Sequence, residues 1–175
     1  TEVDPDEVEE LTEAERARLK NLEYMKTEQS GYAMIQITRP QTLAHGLHDS
    51  PVGQLAWIVE KFKEWTDPAA ELPEDAVDRD LLLTNVMLYW LTGTAGSSAN
   101  SYYETAHAGA WGASERSTVP TGVAVFPLDV SIRRTIELEH TVVHWSEFGR
   151  GGHFAAMEAP DLLVDDVREF FSKLR

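Results

Sequence analysis

The chain has 175 residues, and 15 Lys+Arg against 30 Asp+Glu give a formal charge of −15 with the histidines neutral. A hydrophobic share of 42 % with five Trp, six Phe and five Tyr can build a core for one or two domains, which excludes intrinsic disorder for most of the chain. So acidic a balance repels phosphate backbones and anionic lipid, and with no Cys there is no disulfide framework, thiolate nucleophile or zinc ribbon.

Asp4-Pro5-Asp6-Glu7 places a capping residue, a proline at the first helical position and a carboxylate three residues after the cap, so a helix is expected over about residues 5–26. Residues 2–15 carry eight carboxylates where a secretory leader would be basic and then apolar. Thr27 to Thr38 breaks the helical period, and Gly31 followed by Tyr32-Ala33-Met34-Ile35-Gln36-Ile37 predicts an extended or irregular link. Ser50-Pro51 opens a second helix whose apolar stripe is Val52, Leu55, Ala56, Val59 and Phe62. Residues 67–80, rich in Pro, Ala and carboxylates, read as an exposed connection. Residues 78–91 are apolar nearly all round, as in a buried helix, and Gly93 is placed to stop it. The longest apolar runs, at 81–83 and 86–91, fall well short of a membrane span. A soluble, cytoplasmic protein with neither nucleic acid nor membrane as partner is therefore expected.

Gly96-Ser97-Ser98-Ala99-Asn100-Ser101-Tyr102-Tyr103-Glu104 reads as a loop leading into a short helix. Residues 119–126 and 141–145 are Val-rich and predict two strands, with a short helix over 132–138 between them. Pro160 starts a last helix with Leu163, Val167, Phe170, Phe171 and Leu174 on one face. Strands alternating with helices imply an α/β fold with a parallel sheet, yet two strands are too few to be covered on both faces. The remaining strands are expected from another part of the protein or from another polypeptide.

The loop Gly149-Arg150-Gly151-Gly152-His153-Phe154 directly follows the second predicted strand. A glycine-held histidine there presents its imidazole at the carboxyl edge of the sheet, where open α/β folds build their sites. A loop histidine of no special role is the alternative. Asp129 follows the first strand after Phe126-Pro127-Leu128 and would leave the same edge, where a carboxylate can hold an imidazole in one tautomer. An ordinary turn or capping Asp is the alternative for it. No Gly-x-Ser-x-Gly elbow is present, so a base and its acid stand without a nucleophile. His140 and His144 lie four apart but lack the glutamate of a zinc motif, and in a strand both rings would share a face. His45 and His48 sit in what reads as a loop.

Six segments occur in series: Gly31-Tyr32, Thr38-Arg39-Pro40-Gln41-Thr42, Leu47-His48-Asp49-Ser50-Pro51-Val52-Gly53, Trp57-Ile58-Val59-Glu60-Lys61-Phe62, Asn85-Val86-Met87-Leu88-Tyr89-Trp90 and Gly151-Gly152-His153-Phe154-Ala155-Ala156. In order and spacing they resemble the C-terminal half of microsomal-type epoxide hydrolases, over roughly residues 28–175. The resemblance implies the C-terminal portion of an α/β-hydrolase. Residues 1–112 would be helical cap, and residues 113–175 the last strands and helices of the core sheet. It implies that His153 is the water-activating base and Asp129 its charge partner. Tyr32 and Tyr102 would be the cap tyrosines that hold the epoxide oxygen, with Tyr103 next to Tyr102 leaving that assignment open by one residue. The family's aspartate nucleophile and oxyanion-hole segment belong to its N-terminal half and do not occur in these residues. The implied partners are a small-molecule epoxide, water and that N-terminal half, with a homodimer also open; no cofactor and no metal are implied.

Two other readings stand beside this one. Haloalkane dehalogenases and esterases also use a late His on this scaffold but have no need of two phenols over the nucleophile. A non-catalytic helical module would bind a partner through the apolar faces that the missing strands leave open.

Overall fold

The computed structural model describes residues 11–109 and 116–174. Its elements in chain order are α1 (Glu13–Glu28), α2 (Gly31–Thr38), α3 (Pro40–Asp49), α4 (Pro51–Trp65), α5 (Pro73–Ala76), α6 (Arg79–Thr92), α7 (Ala95–His107), β1 (Pro120–Val125), α8 (Arg133–Glu139), β2 (Thr141–Glu147), α9 (Ala155–Glu158) and α10 (Pro160–Ser172). Two compact units share them. Of the described residues, one unit holds 11–25, 65–69 and 116–174, and the other 26–64 and 70–109. Side chains and backbone of the first unit's early segments bond into its C-terminal residues. Arg18 bridges to Glu147 at 2.8 Å, Asn21 Nδ2 donates to the Leu128 carbonyl at 2.6 Å, and the Trp65 carbonyl accepts the His153 N–H at 2.9 Å.

In the first unit, the signature at residues 4–7 lies outside the described residues, and Leu11 and Thr12 precede the helix. The start of α1 is set instead by Thr12-Glu13-Ala14-Glu15. Thr12 Oγ1 accepts the Glu15 N–H at 3.2 Å while the Glu15 carboxylate takes the Thr12 N–H at 2.8 Å, a reciprocal capping box that satisfies two orphan donors. β1 and β2 run parallel, paired from Pro120↔Thr141 to Val125↔Glu147 with an irregularity at Thr121/Gly122, and α8 makes the crossover between them. Both strands therefore end at one edge. α10 packs on β1, and its expected apolar face is only partly covered, since Val167, Phe171 and Leu174 are exposed. Asp166 is the buried residue of this helix because its Oδ1 meets His144 Nε2 at 2.7 Å, while Lys173 Nζ sits 2.9 Å from His144 Nδ1. His140, expected in a strand beside His144, instead closes α8, its N–H bonding the Ile136 carbonyl.

In the second unit, three expectations are corrected. Residues 31–38 form α2 rather than an extended link, residues 40–49 with His45 and His48 form α3 rather than a loop, and α7 begins at Ala95, where a loop was expected. The reason is tertiary. α2 and α3 both pack against α7, and the small residues that look loop-like let them approach. Ala99 is fully buried, and a Cβ on Gly96 would lie 3.1 Å from Ala44 Cβ. α4 starts where expected, with Ser50 Oγ accepting the Gly53 N–H at 3.0 Å. Its predicted stripe is only partly the buried one: Phe62 is buried and Leu55 and Val59 are half-buried, but Val52 is 71 % exposed and Ala56 is exposed, while Gln54 is buried. The Gln54 amide sets this orientation by donating to the Val86 carbonyl of α6 at 3.0 Å. α6 is capped by Asp78, whose Oδ1 takes the Asp80 and Leu81 N–H groups, and it stops at Gly93, which is left-handed at φ 63°. It is not buried all round, since Leu81, Met87, Leu88 and Leu91 are exposed. The 67–80 connection is likewise not all surface, because Pro73 and Val77 are buried. Among the described residues no helix is long and apolar enough to cross a membrane.

Candidate active site

The candidate side chains fall into two groups, one in each unit. In the first unit, parallel strands bring the chain to the same edge twice. β1 leads into Phe126-Pro127-Leu128-Asp129, a turn closed by the Asp129 N–H on the Phe126 carbonyl at 3.1 Å. Pro127 occupies the second position, and Leu128 at the third has φ 68°, a left-handed conformation that L side chains adopt at a cost of about 1 kcal/mol or more. Asn21 holds that strained residue by its carbonyl, and Arg18 Nη1 reaches the Ser131 carbonyl at 3.4 Å. Asp129 Oδ1 accepts the Ser131 N–H at 2.6 Å. Asp129 and His153 thus leave the same sheet edge, but no hydrogen bond joins them among the described residues; Asp129 Oδ1 is used by its own turn.

β2 leads through Gly151-Gly152 to His153. Here the local backbone is tightly built. Gly151 has φ 87°, and a Cβ on Gly152 would fall 2.6 Å from the Trp65 carbonyl oxygen and 2.9 Å from the Asp67 nitrogen. Only a residue without a side chain lets the two backbones meet so closely. The His153 N–H then donates to the Trp65 carbonyl, Asp67 Oδ2 takes the Gly151 N–H at 2.8 Å, and Glu158 takes the Asp67 and Phe154 N–H groups at 2.7 and 2.9 Å. The exposed His153 ring lies edge-on to Trp65, centroids 5.0 Å apart, and edge-on to Phe154 at 5.1 Å. Burial raises the Glu158 carboxyl above its ordinary value; its two backbone donors oppose this, the Asp67 charge adds to it, and the His153 charge opposes it. Trp65 and Glu158 carry no local signal in the sequence, and Asp67 falls in the 67–80 stretch that reads as an exposed connection.

In the second unit, α2 carries Tyr32 and α7 carries Tyr102, and packing of the two helices sets the rings edge to face with centroids 6.1 Å apart. Burial, then the charge of Tyr102 against that of Lys61, and a side-chain hydrogen bond with Tyr102 leave the Tyr32 phenol above its usual range. Lys61 sits over the Tyr32 ring, 4.8 Å from its centroid, and pairs with Glu60 and Glu64 at 2.6 and 2.9 Å. Tyr103 faces elsewhere and stacks on His107 at 3.9 Å. Lys61 is the contributor that sequence spacing does not reveal. Among the described residues no group of three or more His, Asp or Glu side chains could hold a metal ion.

No family model matches the chain. It is 44 % identical over 168 residues to a putative epoxide hydrolase of Stigmatella aurantiaca, covering 94 % of this chain and 38 % of that protein. It is 40 % identical over 162 residues to epoxide hydrolase 1 of Sus scrofa, covering 86 % of this chain and 36 % of the relative. The solved structure of the Aspergillus niger epoxide hydrolase matches all of this chain and 44 % of its own, with a TM-score of 0.82 at 31 % identity. The chain belongs to the epoxide hydrolases of the α/β-hydrolase fold. It corresponds to their C-terminal portion and spans about two-fifths of the length of the curated relatives it matches. Such a portion explains a parallel sheet of two strands among the described residues, because an α/β-hydrolase sheet has further strands to bury these two.

Proposed function

We propose that this chain provides the oxygen-holding and proton-handling groups of an epoxide hydrolase that converts an epoxide to a vicinal diol. The aspartate nucleophile belongs to the N-terminal half of the protein. Its carboxylate oxygen attacks one epoxide carbon, the ring C–O bond breaks, and the electron pair goes to oxygen, which takes a proton from one of the phenols of Tyr32 and Tyr102. Water then attacks the ester carbonyl as His153 takes its proton. The ester C–O bond breaks to release the diol and the carboxylate, and the protons return through His153 and the phenol. Asp129 stabilises the charged imidazole. Residues 11–25 and 65–69 join the core in this reading, and residues 26–64 and 70–109 form the cap.

The observation that carries the proposal is the pairing of Tyr32 with Tyr102, seventy positions apart and set edge to face by α2 and α7. Two adjacent phenols, of which Tyr32 is held above its usual range by burial, suit an oxygen that develops negative charge, and the competing dehalogenase and esterase chemistries have no use for two of them. Tyr103, stacked on His107, supports Tyr102 as the second donor. The charge of −15 supports a soluble, cytoplasmic setting. The test is Tyr32→Phe and Tyr102→Phe in the full-length protein, assayed on styrene oxide. Loss of turnover by about a hundredfold or more is expected for the double variant; turnover equal to the parent discards the epoxide assignment. A homodimer is tested by light scattering of the same protein.

A further inference from the structure

The His153 turn is not held by its glycines alone. Four hydrogen bonds join it to a segment more than eighty residues earlier and to the end of α9. Trp65 accepts from His153 N, Asp67 from Gly151 N, and Glu158 from both Asp67 N and Phe154 N. Glu158 bonds both sides of the contact, with Oε2 on residue 67 and Oε1 on the residue next to His153. We infer that Glu158, with Asp67, is a positioning residue for the hydrolytic half of the reaction. Its carboxylate clasps the His153 turn to the 65–67 backbone and fixes where the imidazole meets water.

The chemistry of the clasp explains why the residue is a glutamate. Two N–H donors converge on one side chain, and only a carboxylate offers two acceptor oxygens without a donor of its own. An amide of the same shape keeps one acceptor and turns an N–H against the other donor. Burial works against the charge, and the Asp67 carboxylate does so too, so the group is retained at an electrostatic cost. The close approach at Gly152 sets the turn directly against the 65–67 segment that three of these bonds reach.

This inference rests on the proposed role of His153, and the experiment separates the two. Glu158→Gln, Asp67→Asn and His153→Gln are made in the full-length protein and turned over on styrene oxide. Intact-mass spectrometry then follows the covalent ester. If Glu158 positions the base of the second step, Glu158→Gln lowers kcat by about ten- to a hundredfold, because misplaced catalytic groups cost that much. KM falls in parallel, kcat/KM is nearly unchanged, and the ester accumulates as an adduct of the substrate's mass. A residue that only stabilised the fold would lower both steps together and trap no adduct. If His153→Gln traps the ester and Glu158→Gln turns over like the parent without adduct, the clasp is overturned while the role of His153 stands. If His153→Gln itself traps nothing, the reading beneath fails. Should Glu158→Gln not fold, Asp67→Asn, which weakens the Gly151 bond of the same clasp, is judged by the same criteria.

Discussion

Gly152→Ala tests the close backbone approach at the His153 turn. The added Cβ would lie 2.6 Å from the Trp65 carbonyl oxygen, 2.8 Å from the Thr66 carbonyl carbon and 2.9 Å from the Asp67 nitrogen. All three are backbone atoms, so no rotamer change relieves them. A carbon–oxygen contact settles near 3.3 Å at the closest, so the two segments must part by about 0.7 Å. The bond from His153 N to the Trp65 carbonyl, now 2.9 Å, would lengthen beyond hydrogen-bond range. Overpacking costs about 1–3 kcal/mol and the lost bond about 1 kcal/mol, which together give a destabilisation of about 2–4 kcal/mol. The control is Gly149→Ala in the same loop, where a Cβ meets nothing within 4 Å and the residue is exposed. It should change stability by less than about 0.5 kcal/mol. Urea unfolding midpoints of the full-length protein measure both, and turnover on an epoxide reports whether the imidazole has moved. Equal midpoints for the two variants would falsify the close-approach argument.

Three further outcomes follow from the same geometry. Lys61→Met removes the cation over the Tyr32 ring, which now opposes the rise in that phenol's pKa; a cation–π contact is worth about 0.5–2 kcal/mol, so kcat/KM for ring opening should fall at least a few-fold, and an unchanged value would separate Lys61 from the phenols. Glu158 titrates above 4.5 in the folded chain, so the native state holds this proton more tightly than the unfolded one. Its stabilising contribution is complete below about pH 4.5 and is lost as pH rises through the folded value. Since Gln does not titrate, the stability of the parent relative to Glu158→Gln should shrink from acid toward neutral pH in urea unfolding, and a difference that widens contradicts the assignment. Gly122→Ala would put a Cβ 2.8 Å from the Phe170 ring and cost about 1–3 kcal/mol. The cost should drop when Phe170 is replaced by Ala in a double-mutant cycle, and full additivity would show that the two do not touch.

Elements whose signals are local were legible from the residues alone. Ser50-Pro51 starts α4, Asp78 and Gly93 bracket α6, Pro160 starts α10, and the Val-rich runs with a helix between them become a parallel pair, because caps, turns and β-branched runs act over a few residues. The family was also legible, since its motifs lie in series along the chain. Tertiary structure decided the rest. The weakly periodic Gly31–Thr38 is a helix, and so is the glycine- and serine-rich start of α7, because small side chains there let α2 and α3 pack closely, a gain that no local propensity records. Val52 faces water while Gln54 is buried, because one amide found the Val86 carbonyl across a helix pair. The candidate site follows the same division. His153 could be named from its glycines and Tyr32 from its motif, but the clasp of Trp65, Asp67 and Glu158 exists only where two backbones more than eighty residues apart touch. Contacts at that separation depend on the whole chain's path, which local pattern does not encode.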